Sequence, residues 1–422
     1  MRSQFLPYAL PDTDEAEIAA VADTIRSGWL TTGPKTRQFE AAFAAAVGAP
    51  HAVAVNSCTA AMHLALEVIG LRAGDEVITT PYTFAATAEV IRYFNARPVF
   101  VDVDPATLNM NPALLEAAVT ERTRAILPVH IAGLPADLDA ISSLARRHNL
   151  PVIEDAAQAH GATYKGRKVG SIGDLGCFSF QGSKNLPAGE GGILVTSRED
   201  LKDRANRFRM FGEDIRESDK KAFDASRPLD GAREYNSLML GWMYRGTELT
   251  AALCRSQLKR LDASLAQTRR NAAYLTEHLA KIPGVRPPFV PPDCMASFYQ
   301  YRIRLDGAAL GIGMPVHAFR TKLMAALKAE GVEVSLWQTV PVPAQTLFQE
   351  RTGYGLSCPW KCPLGEEVKY DVSEYPETLK LLEDSLTIGS HSFPLFPQPI
   401  ELMQAYVTAF QRVFDHLDQV VV

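Results

Sequence analysis

The chain has 422 residues, 47% hydrophobic and 22% charged, an ordinary globular composition. A formal charge of −5 argues against nucleic acid or an anionic membrane as the main partner, and no apolar run reaches the length of a bilayer span. The opening stretch MRSQFLPYALPDTDEAE lacks the apolar centre of a secretion signal, so a cytoplasmic protein is expected.

Up to about Met210 the rhythm is that of an α/β protein. Short β-rich runs at 51–56, 75–80, 97–103, 124–130 and 150–155 alternate with helical stretches such as 59–70 and 137–149. Strands alternating with helices of that length predict βαβ units and a mostly parallel sheet, whose ligands bind at the carboxyl ends of the strands. A charged stretch at 213–234 reads as a loop or excursion. A long helix is predicted from Thr247 to about Lys281, with leucines at 249, 253, 261, 265, 275 and 279 in partial helical register. The prolines of IPGVRPPFVPPD (282–293) mark a linker. Beyond it a strand near 299–305 and helices near 316–330 and 400–417 predict a smaller α+β unit. The expected layout is a large α/β domain over 1–250, a connecting helix and linker over 251–290, and a small domain over 291–422.

Six cysteines stand at 58, 177, 254, 294, 358 and 362. CPWKC (358–362) is the only close pair, and no second pair or nearby histidine completes a zinc set. Reduced thiols packed as small apolar groups are expected, and no metal site.

Three features carry chemistry, each where a strand meets a loop or helix. In VNSCTAAMHLAL (55–66), Ser57, Cys58 and Thr59 open a helix whose free amides and dipole suit a phosphate. Plain N-capping explains the same residues and, for this motif alone, is the better reading. In PVIEDAAQAHG (151–161), a strand ends at Asp155 and Gln158 follows, a carboxylate and an amide able to meet a protonated nitrogen and a polar substituent of one ring. A solvated strand-end acid is the plainer reading. In FSFQGSKNLPAGEGG (178–192), Ser179 lies on a strand predicted over 175–180 and Lys184 sits among small neighbours. A desolvated lysine becomes a nucleophile, whereas Lys165 and Lys168, in a polar segment, read as surface lysines. A phosphate cradle, a strand-end Asp and a loop Lys together are the parts that hold pyridoxal 5′-phosphate (PLP).

With those residues in place the sequence resembles the DegT/DnrJ/EryC1/StrS family of aminotransferases, which act mainly on sugars. The resemblance covers most of the chain and is densest from GWLTTGPKTRQFE (28–40) to FRMFGED (208–214), including PYTFAATAEVI (81–91) and VIEDAAQAHGATYKGRKVGSIGDLGCFSF (152–180). It implies the type I PLP fold and a homodimer whose sites are completed by the neighbouring subunit. It implies that Lys184 is the Schiff-base lysine, that Asp155 pairs with the pyridine nitrogen and that Gln158 contacts the ring hydroxyl. Phe84 matches the stacking aromatic, and Cys58, Thr59 and Ser179 match phosphate contacts. Arg245, in GWMYRGTELTAAL (241–253), falls where the family reaches into the partner's phosphate site, although Met243 stands where the family often has Asn. A family subset replaces the lysine by histidine and dehydrates sugars; Lys184 favours transamination. The expected reaction moves an amino group from glutamate or glutamine to a carbonyl of a keto-sugar, nucleotide-linked keto-sugar or cyclitol-like acceptor. The rivals are elimination or epimerisation on the same fold and a non-catalytic regulator. The likeness fades at WQTVPVPAQTLF (337–348), which lacks the family's histidines, and at the extended segment 350–385. That segment reads either as a peripheral loop or as a functional one.

Overall fold

The structure is a computed structural model describing residues 12–213, 236–354, 358–360, 368–389 and 398–421. The expected excursion at 213–234 therefore lies, beyond Glu213, outside the described residues, as do Cys362 and part of the 350–385 segment.

The strands in chain order are β1 (His51–Val55), β2 (Glu76–Thr79), β3 (Arg97–Phe100), β4 (Thr123–Ile126), β5 (Ile153–Asp155), β6 (Thr163–Tyr164), β7 (Arg167–Lys168), β8 (Leu175–Ser179) and β9 (Gly192–Thr196), of which β6, β7 and β9 are not among the expected strands. The helices among and around them are α1 (Glu15–Arg26), α2 (Pro34–Val47), α3 (Cys58–Val68), α4 (Ala86–Arg92), α5 (Leu115–Ala118), α6 (Leu138–His148) and α7 (Glu199–Phe208). Strands pair in the orders β1-β9-β8-β5 and β3-β2-β4, and parallel bridges Ile126–Val152 and Val129–Asp155 join the two sets into one sheet. All of its strands run parallel except β9, which is antiparallel to both neighbours. The reason lies in the connections: helical segments link β1 to β5 in turn and the β6–β7 excursion carries the chain from β5 to parallel β8, but β8 reaches β9 directly through the loop that carries Lys184, with no crossover. Alternation of strand and helix does not reveal that reversal.

α3 is apolar on all sides because it lies between the sheet, α4 and α7, and nine of its eleven residues are buried. On the other face Phe39 and Phe43 of α2 meet Phe178 and Phe180 edge to face, with ring centroids 5.0–5.5 Å apart.

The long helix α8 (Glu248–Leu279) follows, with Leu261, Leu265, Leu275 and Leu279 buried as its register implies. Beyond it are β10 (Val285–Arg286), β11 (Cys294–Met295), β12 (Tyr301–Leu305), β13 (Val334–Ser335) and β14 (Ser385–Ile388). They alternate with α9 (Gly307–Leu310), α10 (Val316–Ala329), α11 (Thr346–Glu350) and α12 (Pro376–Asp384); α13 (Ile400–Asp415) and α14 (Leu417–Val421) close the chain. β10-β12-β14-β13 form a second, antiparallel sheet, while β11 turns back to pair with β6 of the first unit. Among the described residues no helix is long and apolar enough to cross a membrane, and Cys58, Cys177, Cys254 and Cys294 form no disulfide.

The described part of the 350–385 segment is not a peripheral loop. Phe348, Trp360, Tyr370 and Tyr375 pack with Phe100 of β3 and Ala88 of α4 in one buried cluster. The Arg92 guanidinium of α4 lies 3.9 Å from the centre of the Trp360 ring, a cation–π contact. Asp102, just past β3, caps α12 by accepting from the amides of Glu377 (2.8 Å) and Thr378 (3.0 Å) and from the Thr378 hydroxyl (2.6 Å). The segment thus braces α4, whose N-terminal end carries site residues.

Glu248 at the start of α8 is buried and ties that helix to α2. Its carboxylate accepts from the amides of Gly33 (2.9 Å), Lys35 (2.7 Å) and Thr36 (2.7 Å) and from the Thr36 hydroxyl (2.6 Å). Those are the orphan donors of a helix start, held by an anion at the positive end of the dipole. Glu248→Ala strands them in a dry interior and is expected to cost about 3–5 kcal/mol. Urea unfolding monitored by circular dichroism measures that loss.

Candidate active site

Adjacent side chains on a strand point to opposite faces, and this separates two neighbouring acids. Glu154 is fully buried and accepts from the amides of Gly170 (2.6 Å), Ile172 (2.7 Å) and Gly173 (2.6 Å). His130 receives the Ala136 amide on Nδ1 (3.0 Å), so its Nε2 carries the proton and donates to Glu154 (2.9 Å). That set of donors holds the Glu154 carboxyl below its usual range despite burial, which marks a structural carboxylate.

Asp155 ends β5 and faces the other way. Burial pushes its pKa up, opposed by the amide of Ala157 (3.1 Å to Oδ1), the Thr87 hydroxyl (2.9 Å to Oδ2) and the Lys184 ammonium. Thr87 also meets the Thr83 hydroxyl at 2.8 Å; since Thr87 donates to Asp155, Thr83 donates to Thr87. Among the described residues Asp155 is thus an acid without a cation in salt-bridge contact, its pKa raised by burial and the Lys184 ammonium near enough to oppose that rise.

Gln158 is buried, and its Oε1 accepts from the Ala132 amide at 2.8 Å. That bond fixes the flip of the side chain and leaves the NH₂ end to donate. Lys184 rides the β8–β9 loop, with buried Asn185 and Leu186 anchoring the chain beside it; Asn185 Nδ2 donates to the Ser297 carbonyl at 3.2 Å. Its Nζ lies 4.2 Å from the centre of the Tyr299 ring, and the Tyr299 hydroxyl meets Ser183 at 3.1 Å. The same ammonium acts on buried Cys58 and His160: burial pushes the thiol well up, and burial with Lys184 pushes the imidazole down to about 3.

The start of α3 supplies the cradle. Ser57 caps the helix by accepting from the Ala60 amide at 3.0 Å, and the amides of Cys58 and Thr59 belong to the first turn. The capping reading of the motif therefore holds. Gly192 of β9 lies so close that an added Cβ would sit 2.3 Å from the Ser57 carbonyl carbon and 2.5 Å from the Cys58 nitrogen. Ser179, buried at the end of β8, pairs directly with Gly192. Phe84, at the turn into α4, is 65% exposed although its neighbours Thr83 and Ala85 are buried and half-buried, a flat apolar face left uncovered. The structure so gathers the carboxyl ends of β5 and β8, the turn after β2 and the start of α3.

Arg245 lies next to the same corner by its backbone, bridging antiparallel to Val55, while Asn56 donates to the Tyr244 carbonyl at 2.9 Å. Its Nε is buried without a hydrogen-bond partner. Thr87 and Tyr299 are site residues that the sequence reading missed. Thr87 had a signal, standing one helical turn after Phe84; Tyr299 had none, because it arrives from the second sheet.

These residues fit PLP: an anion cradle with backbone room for a phosphate, a buried acid for a ring nitrogen, an oriented amide, a flat ring and an amine. The DegT/DnrJ/EryC1/StrS aminotransferase family matches residues 11–386, and the chain belongs to that family. It is 43% identical over 353 residues to the spore coat polysaccharide biosynthesis protein SpsC of Bacillus subtilis, covering 84% of this chain and 88% of that protein. Among solved structures it resembles the aminotransferase from Psychrobacter cryohalolentis, with 31% identity, TM-score 0.84 and 98% and 100% of the two chains covered. It also resembles the putative sugar aminotransferase Spr1654 of Streptococcus pneumoniae in its PLP-form, with 26% identity, TM-score 0.83 and 99% and 100% covered. The fold is the type I fold of PLP-dependent transferases, and the protein is a PLP-dependent aminotransferase.

Thr87→Val removes a donor that lowers the Asp155 pKa, so that pKa rises further. The acidic limb of the pH profile of kcat/KM is expected to move up by about one unit. Steady-state rates from pH 5 to 9 check the direction; an unmoved limb would separate Thr87 from the acid.

Proposed function

We propose that the protein transfers the amino group of glutamate or glutamine to a carbonyl of a polar acceptor, a keto-sugar, nucleotide-linked keto-sugar or cyclitol-like ketone. The product would serve an aminosugar, a surface polysaccharide or a specialised metabolite. The observation that carries this reading is the convergence of Asp155, Gln158 and Lys184 beside the open start of α3.

Bound PLP supplies an electron sink and a carrier for the amino group. Lys184 would hold it covalently, and its amine, when free, would move the proton at the substrate Cα. Asp155 keeps the proton on the ring nitrogen, and its burial makes that single charge contact strong. Gln158 donates to the ring hydroxyl through the NH₂ end that Ala132 leaves over. The amides of Cys58 and Thr59, with Ser179, bind the phosphate, and Phe84 covers one face of the ring. A lysine rather than a histidine at 184 supports transfer over dehydration.

SpsC supports a polysaccharide setting and Spr1654 a sugar acceptor, each by its own description. A homodimer supports the role of Arg245. The segment leading to it exposes Leu238 by 52%, Leu240 by 94% and Trp242 by 41%, apolar surface suited to a second copy. In that pairing Arg245 reaches the phosphate in the partner's site, and its unpartnered Nε gains an acceptor.

Glutamate or glutamine alone should convert the bound cofactor to its amine form, and a panel of keto-sugars and cyclitol ketones should then regenerate it. Two-substrate kinetics should give the parallel double-reciprocal lines of a ping-pong scheme. Conversion by no amino donor would reject the reading.

A further inference from the structure

Arg302 is a cation in an unusual place. It is 3% exposed, and among the described residues it makes no ion pair. Two residues on, Arg304 shows the ordinary arrangement, paired in two-point fashion with Asp384 at 2.8 and 2.7 Å. Arg302 instead donates from Nη2 to Gln300 Oε1 at 2.5 Å and lies 5.0 Å and 5.3 Å from the ring centres of Tyr82 and Trp337. Its Nη1 and the Gln300 Nε2 are both buried without a partner. Guanidinium stays charged in a protein interior, so an unpaired one is costly unless an anion visits it.

The place of these donors is as informative as their lack of partners. Gln300 and Arg302 alternate with Tyr301, whose side chain enters the core of the second sheet, so both face the first unit. Tyr299, which meets Lys184, is three residues away, no more than about 11 Å along the chain. The Gln300 amide donates to the Ala132 carbonyl, and the Ala132 amide in turn holds Gln158. Tyr82 lies two residues before Phe84, and Trp337 opens the stretch where the likeness to the family fades. Gln300 and Arg302 line one small cavity of about 30 Å³, together with Leu108, Ala132 and Phe298. That volume and its apolar wall suit the two oxygens of a carboxylate better than a phosphate, and two donors on one side suit a planar acceptor.

We propose that Arg302 and Gln300 form a recognition point for a substrate carboxylate at the edge of the active site. The proposal rests on the aminotransferase reading above, and it gives the divergent Trp337 stretch a role: its ring helps to hold the guanidinium. The carboxylate belongs either to the amino donor or to an acidic acceptor.

The test compares wild type, Arg302→Met and Arg302→Lys as holoenzymes. Replacing a buried unpaired charge by an apolar side chain of similar length often leaves a fold intact, and the visible spectrum verifies that the cofactor is kept. Calorimetric binding of 2-oxoglutarate needs no turnover; if the donor owns the carboxylate, its Kd should rise about 10- to 100-fold in Arg302→Met, the loss of one charge-assisted hydrogen bond. Glutamate titrated alone should show the same rise in half-saturation with its limiting rate kept within about threefold, if the donor owns the carboxylate. If an acidic acceptor owns it, the rise appears only when the best wild-type acceptor is titrated into the amine form. Arg302→Lys, which keeps the charge, should recover part of the affinity. Unchanged affinity for 2-oxoglutarate, glutamate and acceptor in Arg302→Met would overturn the proposal. Wild type unable to transfer any amino group would instead reject the proposed function, whatever Arg302 does.

Discussion

One buried carboxylate organises this molecule. Asp155 is placed at a strand end, inside the protein, with a hydroxyl and an amide as donors and a lysine nearby. An acid in that state is costly to keep ionised, and under the proposed function a protonated ring nitrogen would be the charge that relieves it. The surrounding elements can be understood as consequences. Thr83 and Thr87 must sit at the start of α4 to reach the acid. The Arg92–Trp360 contact, the aromatic cluster around Phe100 and the cap on α12 hold that helix in place. The β8–β9 loop must return without a crossover helix to bring Lys184 over the same point.

Much of this was legible in the chain because the relevant signals are local. Each predicted strand of the first unit forms within a few residues of its expected bounds, since apolar runs of four or five residues flanked by turns have few other outcomes in a large core. Lys184, Asp155 and Gln158 stood out because residue type and strand-end position coincide. Glu154 and Asp155 looked alike in sequence; the pleat separates them, giving one to backbone amides and the other to the site.

What escaped the sequence is tertiary. Tyr299 reaches Lys184 from the segment that leads into another sheet, about 115 positions later, and no spacing rule connects them. The antiparallel course of β9 was hidden for the same reason, being a property of its pairing partners rather than of its residues. The 350–385 segment was readable either as a peripheral or as a functional loop; burial of Trp360, Tyr370 and Tyr375 against β3 and α4 makes it part of the scaffold.

The central claim is covalent attachment of the cofactor at Lys184, and reductive trapping addresses it directly. Borohydride treatment of the holoenzyme, followed by proteolysis and mass mapping, should place one pyridoxyl group per chain on the peptide that contains Lys184. Label on the exposed Lys165 or on Lys168 instead, or no label on a protein saturated with PLP, would contradict the account.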